Sequence, residues 1–254
     1  MRKITLGSRN EAVEPDFVRS VFTELLLTFL FVFAGVGAAM TAEEVAGGED
    51  RIMWVVAAPA AAHAMLVAVI TAVGLDVSAG HLNPAVTIGF AAGGYVTVVR
   101  CVLYVIAQLL GSSMACLLLK YVTAGLDVLP VHALAAGMDP LQGVIMEAVF
   151  TFSMVFAIYA LIMDPKKGAI AGSAPLLIGL TVGANSLAGG AFSGASMNPA
   201  RSFGPALANW DWTNHWVYWL GPLVGSGLAG FAHHHLYVAG THGVLLPIDD
   251  EVGF

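Results

Sequence analysis

Two short segments with the same pattern interrupt the long apolar stretches of the chain. They are residues 78–87 and 193–202, which contain the triplets Asn83-Pro84-Ala85 and Asn198-Pro199-Ala200. Asn caps a helix through its side-chain oxygen and Pro fits the first helical turn, so each triplet predicts the start of a short helix. Two such starts inside a membrane would direct two amide groups and two positive dipole ends to one place.

The chemistry that these residues offer is hydrogen bonding to a small polar molecule. With the amides of Asn83 and Asn198 donating at one place, a passing water must offer its oxygen to them and turn its hydrogens away. That geometry, together with two positive helix ends, opposes a proton-conducting chain of waters and opposes cations. Helix capping alone is the alternative role for each Asn.

Arg201 follows Asn198 by three positions and brings a positive charge into the second segment. A buried arginine is costly in a membrane unless it faces water or a partner, so Arg201 is a candidate functional residue. The alternative is that Arg201 bonds to a loop carbonyl and only holds the short helix in place. The two roles are compatible.

The composition of the chain indicates what kind of protein positions these residues. Of its 254 residues, 58% are hydrophobic and 11% are charged, which is too apolar for a soluble domain of this length. A bilayer-spanning helix needs about 20 apolar residues, and the chain contains six such segments. They lie at about 18–40, 53–74, 97–123, 141–163, 169–190 and 213–238. We therefore expect residues 1–254 to form a single all-α transmembrane domain whose first span is retained.

The basic residues predict the orientation of these spans. If six spans alternate, one side holds Arg2, Lys3, Arg9, Arg19, Arg100, Lys166 and Lys167, and the other holds Arg51 and Lys120. By the positive-inside rule, both termini are then expected in the cytosol. The net charge of −7 comes largely from acidic residues in a loop and in the C-terminal tail. Nothing basic suggests a nucleic-acid partner.

The chain divides into two similar halves, about 15–123 and 138–240, each with three apolar segments and one triplet. Because three is an odd number, the second half must enter the membrane from the opposite face, which makes the halves an inverted repeat. The segments 83–94 and 198–209 are too short to span, at about 18 Å each. We expect two re-entrant half-helices that meet by their N-termini at the midplane, beside a water-accessible path.

Glu24 and Glu147 are isolated acids at equivalent points of the two halves, each in a Glu-x-x-x-Thr-Phe pattern. A proton relay would make the protein a transporter; we favour carboxylates that bond to backbone groups of the irregular segments. His81 is expected to form local hydrogen bonds in the first re-entrant loop. The run His233-His234-His235 suggests a metal, but helical neighbours point in different directions, so we expect an interfacial run and no metal.

These features together resemble the aquaporins, also called major intrinsic proteins, through the paired triplets, the repeated Glu-x-x-x-Thr-Phe pattern and Arg201. The segments around the triplets and the sequence His215-Trp216-Val217-Tyr218-Trp219 are similar to those of plant tonoplast intrinsic proteins. The resemblance implies a channel of six transmembrane helices and two half-helices, without a cofactor. It also implies a homotetramer, possible mixing with related subunits, and a location in the plant vacuolar membrane.

The resemblance further implies a narrow outer filter with four wall positions and a fifth contributed by a loop. Counted from Asn83, Asn198 and Glu147, these positions fall at His63, Ser186, Ala195, Arg201 and His132. Many tonoplast members have Ile where this chain has Ser186, which predicts a wider and more polar filter. We therefore expect water to permeate together with small neutral solutes such as ammonia, urea, hydrogen peroxide or glycerol.

A secondary transporter is the main alternative, because it shares inverted repeats and half-helices with a channel. It would need a titratable group on the path, and only His63, His132 and Arg201 are available there. Gating of a channel by pH through His63 and His132 is a further alternative. A membrane enzyme is disfavoured because no nucleophile, metal cluster or phosphate loop accompanies the triplets.

Overall fold

The computed structural model describes residues 3–8, 10–46, 51–123, 129–163 and 171–238, and all regular elements within these ranges are helical. Several basic residues that support the predicted orientation lie outside the described residues: Arg2, Arg9, Lys166 and Lys167. The acidic C-terminal tail from residue 239 onward also lies outside them.

Six long helices and two short ones account for most of the described chain. In chain order they are α1 (Pro15–Val45), α2 (Arg51–Gly74), α3 (Pro84–Ala92), α4 (Val98–Val122), α5 (Pro140–Ile158), α6 (Ala174–Gly189), α7 (Pro199–Asn209) and α8 (Val217–His233). By length and composition, α1, α2, α4 and α5 can each cross a membrane, the last with its extension to Met163. The short helices α3 and α7 begin at the two triplets, as the sequence predicts.

The helices α6 and α8 are shorter than the apolar segments that predict them, with 16 and 17 residues. A 3-10 turn at Ala171–Ser173 precedes α6. Before α8, Asn214 adopts a left-handed backbone with φ of 51°, so a turn replaces the predicted start of the helix. After α8, the chain continues as a π-helical turn at His234–Val238. Hydropathy alone does not detect these backbone changes.

Local capping chemistry explains where several helices begin. Pro15, Pro140 and Pro175 lie in the first turns of α1, α5 and α6, where a missing N–H costs no helical hydrogen bond. At α5, Asp139 accepts a hydrogen bond from Leu141 N at 2.8 Å. Capping is reciprocal there, because the Gln142 side chain accepts from Asp139 N at 2.9 Å.

The inverted repeat is visible in how the helices pair. Helix α1 packs along α4 in the first half and α5 packs along α8 in the second. A Cβ at Gly111 would collide with the Leu25 carbonyl of α1, and a Cβ at Gly225 would collide with the Ala148 carbonyl of α5. These two glycines therefore allow equivalent close contacts in the two halves. Helices α2 and α6 pack against each other between the two pairs.

Candidate functional site

The two triplets cap the half-helices α3 and α7. The Asn83 side-chain oxygen accepts a hydrogen bond from Ala85 N at 2.9 Å. The Asn198 oxygen accepts from Ala200 N at 2.9 Å and from Arg201 N at 3.2 Å. Both oxygens are therefore used for capping, which leaves the amide nitrogens for other partners.

The amide nitrogens of the two asparagines cross-link the half-helices. Asn83 Nδ2 donates to Met197 O at 2.8 Å, and Asn198 Nδ2 donates to Leu82 O at 2.9 Å. Each bond thus ends on the residue that precedes the other asparagine. Since an amide nitrogen has two hydrogens, one on each asparagine is left to donate. Both side chains line the same cavity of about 180 Å³.

The loops before the triplets have an unusual backbone. Leu82 and Met197 have φ of 56° and 55°, in the left-handed region that non-glycine residues avoid. Such conformations cost on the order of 1 kcal/mol each and persist only when the surroundings hold them in place. The backbone of both loops is held by the buried acids of α1 and α5.

Glu24 lies beneath the first loop and accepts four hydrogen bonds. Its Oε1 accepts from Ser78 Oγ at 2.6 Å and from His81 N at 2.9 Å. Its Oε2 accepts from Leu82 N and from Gln108 Nε2, both at 2.8 Å. The carboxylate is fully buried and is occupied by backbone and side-chain donors.

Glu147 has the same arrangement beneath the second loop. Its Oε1 accepts from Ser193 Oγ at 2.7 Å and from Ser196 N at 2.9 Å, and its Oε2 accepts from Met197 N at 2.7 Å. Neither this carboxylate nor that of Glu24 lines the cavity at the triplets or the outer cavity described next. The two acids are therefore positioned to support the loops.

A second cavity, here called the outer cavity, has a volume of about 230 Å³, and the cavity at the triplets is called the inner cavity. Four of the five predicted filter residues line the outer cavity, namely His63, Ser186, His132 and Arg201. His63 and Arg201 also line the inner cavity at the triplets, so they stand between the two. Ala195 is fully buried, and its side chain lines neither cavity. It approaches the group through its carbonyl, which accepts from Arg201 Nη1 at 2.7 Å.

His63 and Arg201, which line both cavities, form a direct pair. Arg201 Nε donates to His63 Nε2 at 2.8 Å, and the His63 Nδ1 lies 2.6 Å from the carbonyl oxygen of Pro59. His63 Nε2 must therefore be unprotonated, and Nδ1 carries the hydrogen. A Cβ at Gly35 would also lie close to this nitrogen, at 2.8 Å from His63 Nε2. The imidazole is thus neutral and closely packed.

His132 reaches the outer cavity from the loop between α4 and α5. Its Nδ1 lies 3.2 Å from Ser202 Oγ, and its ring centroid is 5.4 Å from that of Tyr218. A Cβ at Gly194 would lie 2.8 Å from the ring carbon Cδ2, so a glycine is needed there. Burial, and next the charge of Arg201, hold the pKa of His132 well below its usual value. This histidine is therefore neutral at physiological pH.

Ser186 contributes an unusual feature to the outer cavity. The residue is 5% exposed, and among the described residues its hydroxyl has no hydrogen-bond partner. Ser186 lines the cavity, and a buried hydroxyl without a protein partner calls for one. The position therefore offers both space and hydrogen bonding, whereas an isoleucine would offer neither.

The remaining part of the inner cavity is mostly apolar. Its walls include Val67, Val86, Phe90, Met154, Ile178 and Val182, with Tyr95 and Met163 also lining it. His81 lines the same cavity, but its Nδ1 is bonded to Thr87 Oγ1 at 3.0 Å. A path with apolar walls and few polar groups offers little to hold a passing water in place.

The three histidines at the end of α8 lie in different environments. His233 is buried and stacks on Tyr159 at 5.1 Å, while His235 is exposed. His233 therefore packs inside the protein, whereas the position of the run at the membrane interface stays a prediction. Tyr159, in the π-helical turn that follows α5, also donates to Gly89 O of the half-helix α3 at 3.3 Å.

Sequence reasoning did not identify the residues that hold the two filter histidines. Gly35 and Pro59 contact His63, Gly194 and Ser202 contact His132, and Ser196 contacts Ser202. Pro59 was detectable, since it precedes His63 by one helical turn. Ser202 aligns with Thr87 when the two triplets are superimposed, and this match was a usable signal. The contact between Gly194 and His132 depends on a loop conformation that the sequence does not specify.

Comparisons with a family model, with known sequences and with solved structures all give matches that agree with one another. A family model described as Major intrinsic protein matches residues 11–233. Aquaporin TIP4-4 of Zea mays is 55% identical over 250 residues, covering 98% of this chain and 99% of the relative. Aquaporin TIP4-1 of Arabidopsis thaliana is 53% identical over 251 residues, covering 99% and 98%. The X-ray structure of the aquaglyceroporin from Plasmodium falciparum matches with a TM-score of 0.74 at 21% identity, covering 87% of this chain and 96% of that chain.

Proposed function

The chain belongs to the major intrinsic protein family, and we propose that it conducts water and small neutral solutes while it excludes protons and ions. Family membership makes it a passive membrane channel and not an enzyme. Relatives that carry TIP in their names support the further proposal that this integral membrane protein lies in the vacuolar membrane. The observation that carries the proposal is the pair of asparagine amides in the inner cavity, which shares His63 and Arg201 with the outer cavity.

Proton exclusion is supported by the geometry at the triplets. Asn83 and Asn198 each use one amide hydrogen on a carbonyl of the opposite loop, and each has a second hydrogen to donate. A water that accepts from both directs its own hydrogens away along the path, so its neighbours cannot pass a proton through it. The N-termini of α3 and α7 add positive potential at the same point, which disfavours cations.

Passage of neutral solutes is supported by the outer cavity. Ser186 has a short side chain and an unpartnered hydroxyl, and Arg201 brings further N–H donors beside it. These groups replace part of the hydration shell of a small polar molecule such as ammonia, urea, hydrogen peroxide or glycerol. An anion or cation would have to lose far more hydration energy in the same space.

Two substitutions at Ser186 test the solute range in liposomes that contain the full chain. Ser186→Ile fills the cavity and removes the hydroxyl, so we expect water flux to persist and urea and glycerol flux to fall about tenfold. Ser186→Ala keeps the space and removes only the hydroxyl, which separates the two effects. Stopped-flow light scattering measures each flux. A wild-type protein that passes water alone would overturn the proposed solute range.

A transporter coupled to protons receives no support from the buried acids. Glu24 and Glu147 are occupied by donors and line neither cavity. A coupled transporter needs a titratable group on the path. Urea accumulation driven by an imposed pH gradient would contradict the channel mechanism, which predicts equal concentrations on both sides at equilibrium.

We also propose that the chain forms a homotetramer, or mixes with related subunits, with both termini in the cytosol. Large apolar side chains are exposed along α1, α2, α4 and α6, including Phe22, Met65, Leu110 and Leu180, and these faces are suited to lipid and to neighbouring subunits. The described basic residues Lys3, Arg19 and Arg100 support the orientation. Cross-linking in the membrane and accessibility of a terminal tag test the two statements.

A further inference from the structure

A chain of polar contacts runs from His132 Nδ1 to the backbone of the second triplet. His132 Nδ1 is 3.2 Å from Ser202 Oγ, and Ser202 Oγ is 2.5 Å from Ser196 Oγ. Ser196 Oγ is in turn 2.9 Å from the carbonyl oxygen of Asn198. Both serines are buried, at 2% and 1% exposure. We call Ser196 and Ser202 the hydroxyl chain.

Counting hydrogens along the hydroxyl chain fixes the direction of each bond. A carbonyl oxygen only accepts, so Ser196 donates its one hydrogen to Asn198 O. Ser202 must then donate to Ser196, and its oxygen accepts a hydrogen from His132 Nδ1. In the opposite direction, Ser196 would donate to Ser202 and the contact with Asn198 O would not be a hydrogen bond. Buried polar groups favour the arrangement in which all contacts are satisfied.

The first half of the repeat shows the same directions of hydrogen bonding, with different residues. Thr87 Oγ1, which is equivalent to Ser202, donates to Asn83 O at 3.0 Å. It also accepts from Gln108 Nε2 at 2.9 Å, whose identity as a nitrogen follows from its bond to the Glu24 carboxylate. With its hydrogen already used, Thr87 can only accept from His81 Nδ1 at 3.0 Å. His81 is thereby held in the Nδ1–H tautomer.

The rest of the His132 ring is positioned by its packing. Cδ2 faces Gly194 and Nδ1 faces Ser202, so Cε1 and Nε2 are the ring atoms left to line the outer cavity. Among the contacts of the described residues, Nε2 of His132 makes no hydrogen bond. If Nδ1 carries the hydrogen, Nε2 presents a lone pair to that cavity.

We infer that the hydroxyl chain fixes His132 as the Nδ1–H tautomer and makes its Nε2 a hydrogen-bond acceptor for solutes in the outer cavity. Ser202 is then a positioning residue for solute selection. The inference rests on the proposed function, because it requires solutes to pass through this cavity. Arg201 and Ser186 supply donors on the other walls. Donors and an acceptor together fit an amide such as urea, which carries a carbonyl oxygen and N–H groups.

Nitrogen NMR tests the tautomer directly. The full chain is labelled with 15N-histidine and studied in lipid, and the His132 signals are assigned by their loss in His132→Gln. We expect a protonated Nδ1 and an unprotonated Nε2 in the wild type, and a shift toward protonated Nε2 in Ser202→Ala. Ser202→Thr should restore the wild-type signals, because threonine supplies the hydroxyl at the equivalent position 87. A protonated Nε2 in the wild type, or identical spectra for Ser202→Ala, would overturn the inference.

Flux measurements on the same variants test solute selection. Loss of one hydrogen bond to the solute is expected to lower the ratio of urea to water flux about fivefold in Ser202→Ala. Ser226→Ala is the matched control, since Ser226 is a buried serine of α8 next to Gly89, away from the outer cavity. An unchanged ratio in Ser202→Ala contradicts the selection role. If the wild type passes no urea, the proposed solute range fails, while the NMR signals still decide the tautomer.

Discussion

At the level of single residues, the boundary between the two cavities depends on the hydrogen-bond partners of the buried Arg201. Arg201 donates to His63 Nε2 and to the carbonyls of Ala195 and Ser196. A guanidinium in a membrane interior needs such partners or water, and here the protein supplies most of them. The pair leaves His63 neutral, so one positive charge faces the solute path instead of two.

Gly35 provides the space into which the His63 ring fits. A Cβ at position 35 would lie 2.8 Å from His63 Nε2, whereas a Cβ at Gly37 would meet its nearest neighbour at 3.9 Å. Gly35→Ala should therefore displace the ring and disturb its hydrogen bond with Arg201 between the two cavities, lowering water flux about tenfold. Gly37→Ala, two positions along the same helix, serves as the control and should leave flux unchanged. Stopped-flow measurements with equal protein content compare the two, and equal flux in both would contradict the packing argument.

The pH response of the channel follows from His132. Burial, and then the charges of Arg201, His63 and His215, hold the pKa of His132 well below its usual value of 6.5. Protonation in the folded state therefore begins only well below that pH, and we expect urea and water flux to be constant between about pH 6 and 8. The unfolded chain binds this proton near pH 6.5, so the stabilising contribution is present above that pH and is lost on acidification. A sigmoidal flux profile centred near pH 6.5, abolished by His132→Gln, would contradict this assignment.

At the level of elements, the loops before α3 and α7 are held in strained backbone conformations by buried carboxylates. Glu24 accepts from His81 N and Leu82 N, and Glu147 accepts from Ser196 N and Met197 N. These N–H groups would otherwise be buried without partners. The acids thus satisfy the irregular backbone that a re-entrant segment requires.

Replacing one of these acids by its amide should reveal the supporting role. In Glu147→Gln, the new NH₂ group faces an N–H donor or the Ser193 hydroxyl, so at least one buried bond is lost at about 1–3 kcal/mol. We expect a lower thermal unfolding midpoint in detergent together with reduced water flux. Glu44→Gln, at an exposed position near the end of α1, is the control and should change neither. Unchanged stability with altered pH dependence would instead indicate a proton-carrying role.

The elements also show how much of the site the sequence could predict. The half-helix starts were predictable because capping by Asn83 and Asn198 is local chemistry. The cross-bonds from their amides to Met197 O and Leu82 O were not, because non-glycine residues give no sign of a left-handed backbone. The spacing predicted Ala195 as a filter residue, but its side chain is buried away from both cavities. Its carbonyl oxygen instead accepts a hydrogen bond from Arg201. Hydropathy located α6 and α8, although not the turns that shorten them.

At the level of the whole molecule, the two halves have equivalent supporting hydrogen bonds but different residues along the cavities. Tyr104 donates to Ser78 O and Tyr218 donates to Ser193 O at equivalent points. At the outer end, however, Arg201 has Val86 as its counterpart in the first half. The outer cavity is therefore polar and the inner one mostly apolar. We therefore expect selection among solutes at the outer end, since the inner cavity offers few polar groups.

The most direct test of the channel mechanism compares water, urea and proton movement in one preparation of liposomes containing the full chain. Light scattering reports water and urea, and an enclosed pH-sensitive dye reports protons after a pH jump. The mechanism predicts faster water and urea movement than in protein-free liposomes, with no increase in proton movement, because Asn83 and Asn198 orient the central water. Proton movement that rises with protein content would contradict it.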